Sequence, residues 1–188
     1  MMDWESLEHS CKSCNKCELC QKRTNVVFGV GNQNTDILFV GEGPGQQEDL
    51  QGEPFVGPAG KLLDDMLSII DLDRKSNCYI ANIVKCRPPG NRDPKEDEQE
   101  ACYGYLQNQI QLIQPKMIIC LGRIAATKMI RPDFRITKEH GTWTQIGGIW
   151  MTAIYHPSAL LRDLSKRPET FEDLLEIRKK AHQLGISL

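Results

Sequence analysis

Six of the eight cysteines have the spacing of metal ligands. The segment CKSCNKCELC repeats cysteine at every third position, and two more follow further along the chain, one of them in KCRPPGN. The six are Cys11, Cys14, Cys17, Cys20, Cys86 and Cys102. CxxC pairs are typical of zinc sites and iron-sulfur clusters, because two thiolates three residues apart reach one centre. Four local ligands would suffice on spacing alone, but they leave Cys86 and Cys102 unexplained.

A glycine-rich stretch, VGEGPGQQEDLQGEPFVGPAGKLL at residues 40–63, holds six glycines and three prolines. Glycine lets backbone N–H groups approach a ligand because no Cβ stands in the way. The phosphate-binding signatures are absent, since GEGPG has neither the Lys-Ser/Thr of a P-loop nor the GxGxxG spacing of a dinucleotide fold, and Pro44 lacks an N–H. The stretch therefore favours a flatter, neutral ligand.

Three further side chains suit a nucleobase. Phe55 offers an aromatic face, while Asn82 and His156 follow or end apolar runs and can form hydrogen bonds. A face for stacking and polar groups along an edge are what a pyrimidine requires. Each residue also has a plainer interpretation, namely core packing for Phe55, turn capping for Asn82 and a hydrogen-bonded surface histidine for His156.

Four short apolar runs predict the strands that would position these groups. They are DILFVG (36–41), NCYIANIVK (77–85), KMIICLG (116–122) and IWMTAIYH (149–156), and the cysteines inside them, Cys78 and Cys120, are interpreted as buried small side chains. Helical patterns fill the intervals. The alternation predicts an α/β fold, a three-layer α/β/α sandwich with a central, mainly parallel four-stranded sheet. TWTQIGGIW predicts a hairpin that leads into the last strand.

Ligands of such open sheets bind beyond the carboxyl ends of the strands. The glycine-rich stretch begins at the end of the first predicted strand, Asn82 lies toward the end of the second, and His156 ends the fourth. We therefore expect these groups to meet at one edge of the sheet.

Composition and charge narrow the function classes. The 188 residues are 40% hydrophobic, which fits a single domain over residues 1–188 that includes the cysteine-rich segment 11–20. The net charge of −2 argues against a protein that coats nucleic acid, although residues 115–188 carry +5 and residues 1–114 carry −7. The first residues, MMDWESLEHS, lack the pattern of a secretory signal, so we expect a soluble, cytoplasmic, prokaryotic-type protein without membrane association, and a monomer.

Four segments, in this order, resemble the family 4 uracil-DNA glycosylases of the uracil-DNA glycosylase superfamily. They are CNKCELCQKRTNVVFGVGN, GEGPGQQEDLQGEPFVGPAGKLL, YIANIVKCRPPGNRDP and HPSALLR. The resemblance implies a DNA repair enzyme that removes uracil from single-stranded or double-stranded DNA by hydrolysis of the N-glycosidic bond. The product would be an abasic site, and the pathway base excision repair.

The same resemblance implies a [4Fe-4S] cluster and a uracil pocket. The cluster ligands would be Cys14 and Cys17, counted back from QKRT, together with Cys86 and Cys102. This chain departs from the simplest family pattern by also having Cys11 and Cys20, and a shift of the first pair by three residues would keep the CxxC form. The residues of the implied uracil pocket are Gly41, Glu42, Gly43, Phe55, Asn82 and His156.

Chemistry suggests a role for each polar group. His156 would donate a hydrogen bond to uracil O2, where negative charge develops as the base departs. Asn82 would accept from N3–H and donate to O4, a pattern that cytosine opposes. A carboxylate would orient water; Glu42 is the first choice and Glu48 and Asp49 are alternatives on the same loop.

The residues after His156 suggest contacts with DNA. Leu160 and Leu161 could wedge into the space left by a flipped base, and Arg162 could hold a phosphate. We expect at least one of the two leucines to belong to the core.

Two other function classes fit the same residues. One is a non-catalytic iron-sulfur or zinc DNA-binding module in which the glycine-rich loop is structural. The other is a nucleoside hydrolase that uses the same edge of the sheet and would act on free deoxyuridine. The chain has no GxSxG motif, which argues against acyl transfer.

Overall fold

The computed structural model describes residues 2–188, which form a six-stranded sheet with helices on both faces. The strands are β1 (Val30–Gly31), β2 (Ile37–Gly41), β3 (Tyr79–Asn82), β4 (Met117–Leu121), β5 (Thr144–Ile146) and β6 (Ile149–Ile154). Their order across the sheet is β1-β3-β2-β4-β6-β5. The four central strands are parallel, and the two edge strands pair antiparallel to their neighbours.

The predicted fold class is confirmed, but the predicted number of four strands is wrong. The four apolar runs form the parallel centre, and β1 and β5 add an edge on each side. β5 comes from the predicted hairpin, in which Gly147 and Gly148 both adopt positive φ. Two residues of β1 are too few to show the alternation that marks a strand in a sequence.

Eight α-helices cover the sheet in the described residues. They are α1 (Trp4–Lys12), α2 (Gln46–Gln51), α3 (Pro58–Ile69), α4 (Glu96–Ile113), α5 (Arg123–Met129), α6 (Ile136–Glu139), α7 (Pro157–Arg162) and α8 (Arg167–Gln183). Within residues 2–188, no helix combines the length and the apolar character needed to cross a membrane.

The core has two halves because successive strand residues face opposite sides of the sheet. On β2, Leu38 and Val40 pack in the half that contains residues of α1, α4 and α5, whereas Ile37 and Phe39 pack against residues of α3 and α8. All five residues of β2 and of β4 are buried, as expected for strands covered on both faces.

The strand order creates a crevice between β2 and β4. The chain leaves β2 toward β3 on one side and leaves β4 toward β6 on the other, so the carboxyl ends of β2 and β4 flank the point where the connections diverge. Open α/β sheets bind ligands at such points. The fold therefore places the glycine-rich loop, which follows β2, beside this crevice.

Candidate active site

A cavity of about 390 Å³ opens at the carboxyl edge of the parallel strands. Its lining includes Glu42 and Phe55 from the loop after β2, Asn82 from the end of β3, and His156 and Arg162 from the segment after β6. Three distant stretches of sequence thus contribute to one site because their strands lie in the same sheet.

Asn82 carries a buried acceptor inside this cavity. The residue is 2% exposed, and its Oδ1 has no hydrogen-bond partner among residues 2–188. A Cβ at Gly41 would lie 2.5 Å from that oxygen, so only a glycine leaves room for the Asn82 amide in this position. A buried polar atom without a partner is costly, and such atoms commonly mark places where a ligand supplies the missing bond.

Phe55 forms an apolar wall of the cavity. Its ring centroid lies 5.4 Å from that of His156, with the two planes inclined by 32°. A Cβ at Gly41 would also come within 2.7 Å of the Phe55 ring, so the ring packs directly against the glycine backbone. Phe55 has φ of +54°, in the left-handed region that non-glycine residues seldom adopt.

His156 precedes α7 and caps it. Its Nδ1 accepts a hydrogen bond from the Ser158 N–H at 3.1 Å, and Ser158 Oγ lies 2.7 Å from the same nitrogen. Because Nδ1 accepts, the proton of a neutral imidazole resides on Nε2. Burial and, to a lesser extent, the Arg162 guanidinium together lower the pKa of His156 to about 4. The ring is therefore neutral at physiological pH and is a hydrogen-bond donor through Nε2.

Glu42 is a carboxylate that lines the cavity and lies beside the carboxylate of Asp93. The pKa of Glu42 is raised to about 7, because burial and the nearby Asp93 carboxylate raise it by more than Arg123 and Arg162 lower it. Asp93 itself pairs with Arg123 at 2.8 Å. Near neutral pH the Glu42 carboxyl thus changes between its protonated and ionised forms, as expected for a group that handles protons or water.

The two alternative carboxylates have structural contacts. Glu48 Oε1 accepts from the N–H groups of Val56 and Gly57 at 3.1 and 3.2 Å, which holds the glycine-rich loop together. Asp49 is 5% exposed and accepts from the N–H groups of Thr24 and Asn25. Glu48 lines the cavity and Asp49 does not. These contacts favour Glu42 over both.

A second pocket collects the cysteine-rich segment, the turn after β3 and the start of α4. Its lining contains all six predicted ligand candidates: Cys11, Cys14, Cys17, Cys20, Cys86 and Cys102. Within residues 2–188, no three Cys, His, Asp or Glu side chains are grouped as ligands of a single metal ion would be. Cys78 and Cys120 are each 0% exposed in the core, which confirms their prediction as buried small side chains.

Cationic and N–H groups already face the sulfur atoms. Arg23 Nη1 lies 3.5 Å from Cys86 Sγ, and the backbone N–H of Lys85 donates to Cys102 Sγ at 3.3 Å. The Lys85 side chain is buried and donates to Gln109 Oε1 at 2.6 Å and to the Phe28 carbonyl at 3.1 Å. Burial raises the pKa of the Cys102 thiol to about 11. This donor set suits an anionic, thiolate-bound group, because a bound metal would displace the thiol protons and the cations would offset the charge.

Comparison with known proteins identifies the family. The Uracil DNA glycosylase superfamily profile matches residues 28–179. The chain is 46% identical over 176 residues to the type-4 uracil-DNA glycosylase of Archaeoglobus fulgidus, which covers 88% of this chain and 86% of that protein. The chain belongs to the type-4 uracil-DNA glycosylases.

Two further relatives extend this result. The type-4 uracil-DNA glycosylase of Sulfurisphaera tokodaii is 45% identical over 186 residues, covering 94% of this chain and 84% of the relative. That of Thermotoga maritima is 45% identical over 165 residues, covering 86% and 84%. The resemblance inferred from the four ordered segments is thereby confirmed.

The cavity of this type-4 glycosylase unites most of the predicted pocket residues. Glu42, Gly43, Phe55, Asn82 and His156 line it, and Gly41 lies behind Asn82 and Phe55. The two leucines after His156 differ in exposure. Leu160 is 2% exposed and packs in the core, so it cannot insert into the space of a flipped base, whereas Leu161 is 42% exposed. Arg162 lines the cavity next to Leu161.

Sequence reasoning missed several residues of the glycosylase cavity. Ser158 orients His156, and Asn91 and Arg92 line the cavity. Ser158 could have been found, because a serine two residues beyond a helix-capping position is well placed to bond the cap. Asn91 and Arg92 lie in an irregular segment between β3 and α4, where spacing carries no signal for orientation.

Proposed function

We propose that this chain excises uracil from DNA by hydrolysing the N-glycosidic bond, which leaves an abasic site for base excision repair. The observation that carries the proposal is the buried Oδ1 of Asn82, which lacks a partner among residues 2–188 and belongs to a residue that lines a cavity together with Phe55 and His156. Membership of the type-4 uracil-DNA glycosylases supports it.

Asn82 selects the base. Its Oδ1 accepts from uracil N3–H while its Nδ2 donates to O4, and the Phe55 ring stacks on the face of the pyrimidine. Cytosine offers an unprotonated N3 and an amino group at the corresponding positions, so both hydrogen bonds would be lost. Sites built on paired polar groups reject the wrong partner strongly, because the buried groups would stay unpaired.

His156 stabilises the leaving group. As the bond to C1′ breaks, negative charge develops on uracil O2, and the Nε2–H of the neutral ring donates to that oxygen. A preset donor in a dry cavity acts where charge develops and does not need to be protonated further. Ser158 fixes the ring through Nδ1, so the donor is oriented before the substrate arrives.

Glu42 orients the attacking water and offsets the positive charge that develops on the sugar. Its carboxyl lies in the cavity and must be ionised for this role. Because its pKa is raised to about 7 by burial and by Asp93, the ionised form prevails above neutrality.

The segment after His156 engages the DNA strand. Flipping a base costs roughly a few kcal/mol, and less in single strands or mismatches. The exposed Leu161 occupies the space that the base leaves, and Arg162 contacts a phosphate next to the cavity. The substrate is uracil-containing DNA, single-stranded or double-stranded.

The cysteine pocket holds a [4Fe-4S] cluster through Cys14, Cys17, Cys86 and Cys102. Such a cluster supplies four iron–thiolate bonds that would tie the segment after α1 to the turn after β3 and to α4. Hydrolysis of an N-glycosidic bond transfers no electrons, so the tie is structural. Asn82 lies four residues before Cys86, so fixing Cys86 also fixes the end of β3.

The domain spans residues 1–188, acts as a cytoplasmic monomer, and includes the cysteine-rich segment 11–20.

A base-release assay tests the proposal. The wild type is incubated with oligonucleotides that carry one uracil, cytosine or thymine, and alkali then cuts abasic sites. We expect cleavage at uracil, and a loss for Asn82→Asp of about 100-fold or more, because its second carboxylate oxygen faces uracil O4 without a proton.

The controls separate the other function classes. Binding of the oligonucleotide without base release would favour a non-catalytic DNA-binding module, and release of uracil from free deoxyuridine at a comparable rate would favour a nucleoside hydrolase. Unchanged uracil release and base preference in Asn82→Asp would refute the assigned role of Asn82.

A further inference from the structure

Arg74 supports the cavity from outside its lining. It lies in the connection between α3 and β3 and is 7% exposed. Its Nη2 donates to the Phe55 carbonyl at 2.6 Å, and its Nη1 donates to the Pro54 carbonyl at 2.8 Å. Its Nε pairs with Asp64 at 2.7 Å, which offsets the charge of the buried guanidinium. One side chain thus holds two successive carbonyl groups of the glycine-rich loop.

The held backbone is the strained part of that loop. Phe55 has φ of +54°, and a non-glycine residue stays in this region only when its surroundings determine it. Gly60 packs against the same carbonyl, since a Cβ there would lie 1.9 Å from the Phe55 carbonyl oxygen. Gly60 and the guanidinium therefore both confine the Phe55 carbonyl, and the ring lies against Gly41 and His156.

We propose that Arg74 is a positioning residue for uracil recognition, which acts by presetting the Phe55 ring in its stacking orientation. The inference rests on the proposed function. A preset ring need not be ordered when the base enters, so more of the stacking free energy appears as affinity. The planar fork of arginine matches two carbonyl groups at once, which the single ammonium group of lysine cannot do.

A double-mutant cycle with Phe55 tests this role. The variants are Arg74→Met, Phe55→Ala and their combination, each measured for kcat/KM on single-stranded uracil DNA, for inhibition by free uracil, and for thermal unfolding. Stacking of one base on one aromatic ring suggests that Arg74→Met lowers kcat/KM and free-uracil affinity by about 10-fold to 100-fold. With Phe55→Ala already present, we expect Arg74→Met to cost less than about 3-fold.

A matched control uses Arg178, which pairs with Asp71 at 2.6 Å at the start of the same connection. Arg178→Met should leave kcat/KM within about 2-fold of wild type, since surface pairs contribute little. Arg74→Lys should recover part of the loss. Should Arg74→Met fail to fold, Arg74→Lys takes its place in the cycle, because it keeps a buried cation beside Asp64 but loses the fork that holds both carbonyl groups. Its smaller loss should likewise shrink without the Phe55 ring.

The outcomes are distinct. Equal losses in the presence and absence of the Phe55 ring, from Arg74→Met or from Arg74→Lys, would overturn the positioning role while leaving uracil excision intact. A wild type that releases no uracil would overturn the proposed function and this inference with it.

Discussion

The two pockets of this glycosylase differ in what their walls leave unsatisfied. The uracil cavity holds a buried acceptor, Asn82 Oδ1, which has no partner within residues 2–188, beside a neutral imidazole. The cysteine pocket already directs a guanidinium and a backbone N–H at its sulfur atoms. A neutral acceptor without a hydrogen-bond partner, such as Asn82 Oδ1, suits a ligand that binds and then dissociates. A ring of thiols with cations beside them suits a permanent anionic group.

The largest effect should follow from breaking the cysteine pocket. We expect Cys86→Ala to lose its bound iron and to lower the free energy of unfolding by about 3–5 kcal/mol, the scale of removing a long-loop cross-link. Iron content per chain and thermal unfolding measure this. Cys120→Ala, which changes a cysteine in the core away from the pocket, should keep its iron. A Cys86→Ala protein with full iron content, stability and activity would show that Cys86 is not a ligand.

A smaller but local effect should follow in the uracil cavity. His156→Ala removes the donor to uracil O2, so kcat should fall by about 100-fold to 1000-fold. The affinity for uracil-containing DNA, measured by fluorescence anisotropy, should change far less, and iron content should not change. His182→Ala, an exposed histidine at the end of α8, is the matched control. If His156→Ala lowered kcat by less than 10-fold, His156 would not be the group that stabilises the leaving uracil.

The smallest effect concerns the acidity of Glu42. The pKa of Glu42 is raised to about 7, so its protonated, inactive form prevails at lower pH. We therefore expect kcat/KM to rise with pH toward neutrality and then to level off. Asp93→Asn removes a neighbouring carboxylate and frees Arg123, and both changes lower the Glu42 pKa. The rise should therefore move to lower pH by about 1 pH unit or less. Asp133→Asn alters an exposed carboxylate outside the cavity lining. If it moved the pH profile by the same amount, the shift would be due to overall charge and not to Asp93.

Much of the uracil cavity could be predicted because its main residues follow strands. Asn82 and His156 end or follow apolar runs. Because ligands bind at the carboxyl ends of parallel strands, the sequence alone predicts that these two residues lie close together. The predicted strand count is two too low: β1 contributes two residues, a length at which alternation cannot be recognised, and β5 is the short first strand of the predicted hairpin, which the count of four omits.

The remaining details depend on contacts that spacing does not encode. The sequence predicts Glu42, Glu48 and Asp49 on one loop, but Glu48 and Asp49 belong to α2. Backbone N–H groups bind both of them, and spacing does not encode those contacts. Leu160 and Leu161 are adjacent, and the direction of α7 decides which one is buried. Arg74 escaped notice for a related reason, since it acts on main-chain carbonyl groups far from it in sequence.

The lone acceptor of Asn82 also bears on how robust the folded enzyme can be. A buried oxygen that finds no donor within residues 2–188 costs on the order of 1–3 kcal/mol. An apolar side chain at this position would remove that cost and stabilise the folded protein, but it could not form the proposed hydrogen bonds to uracil. Folding stability and base recognition thus place opposite demands on one atom.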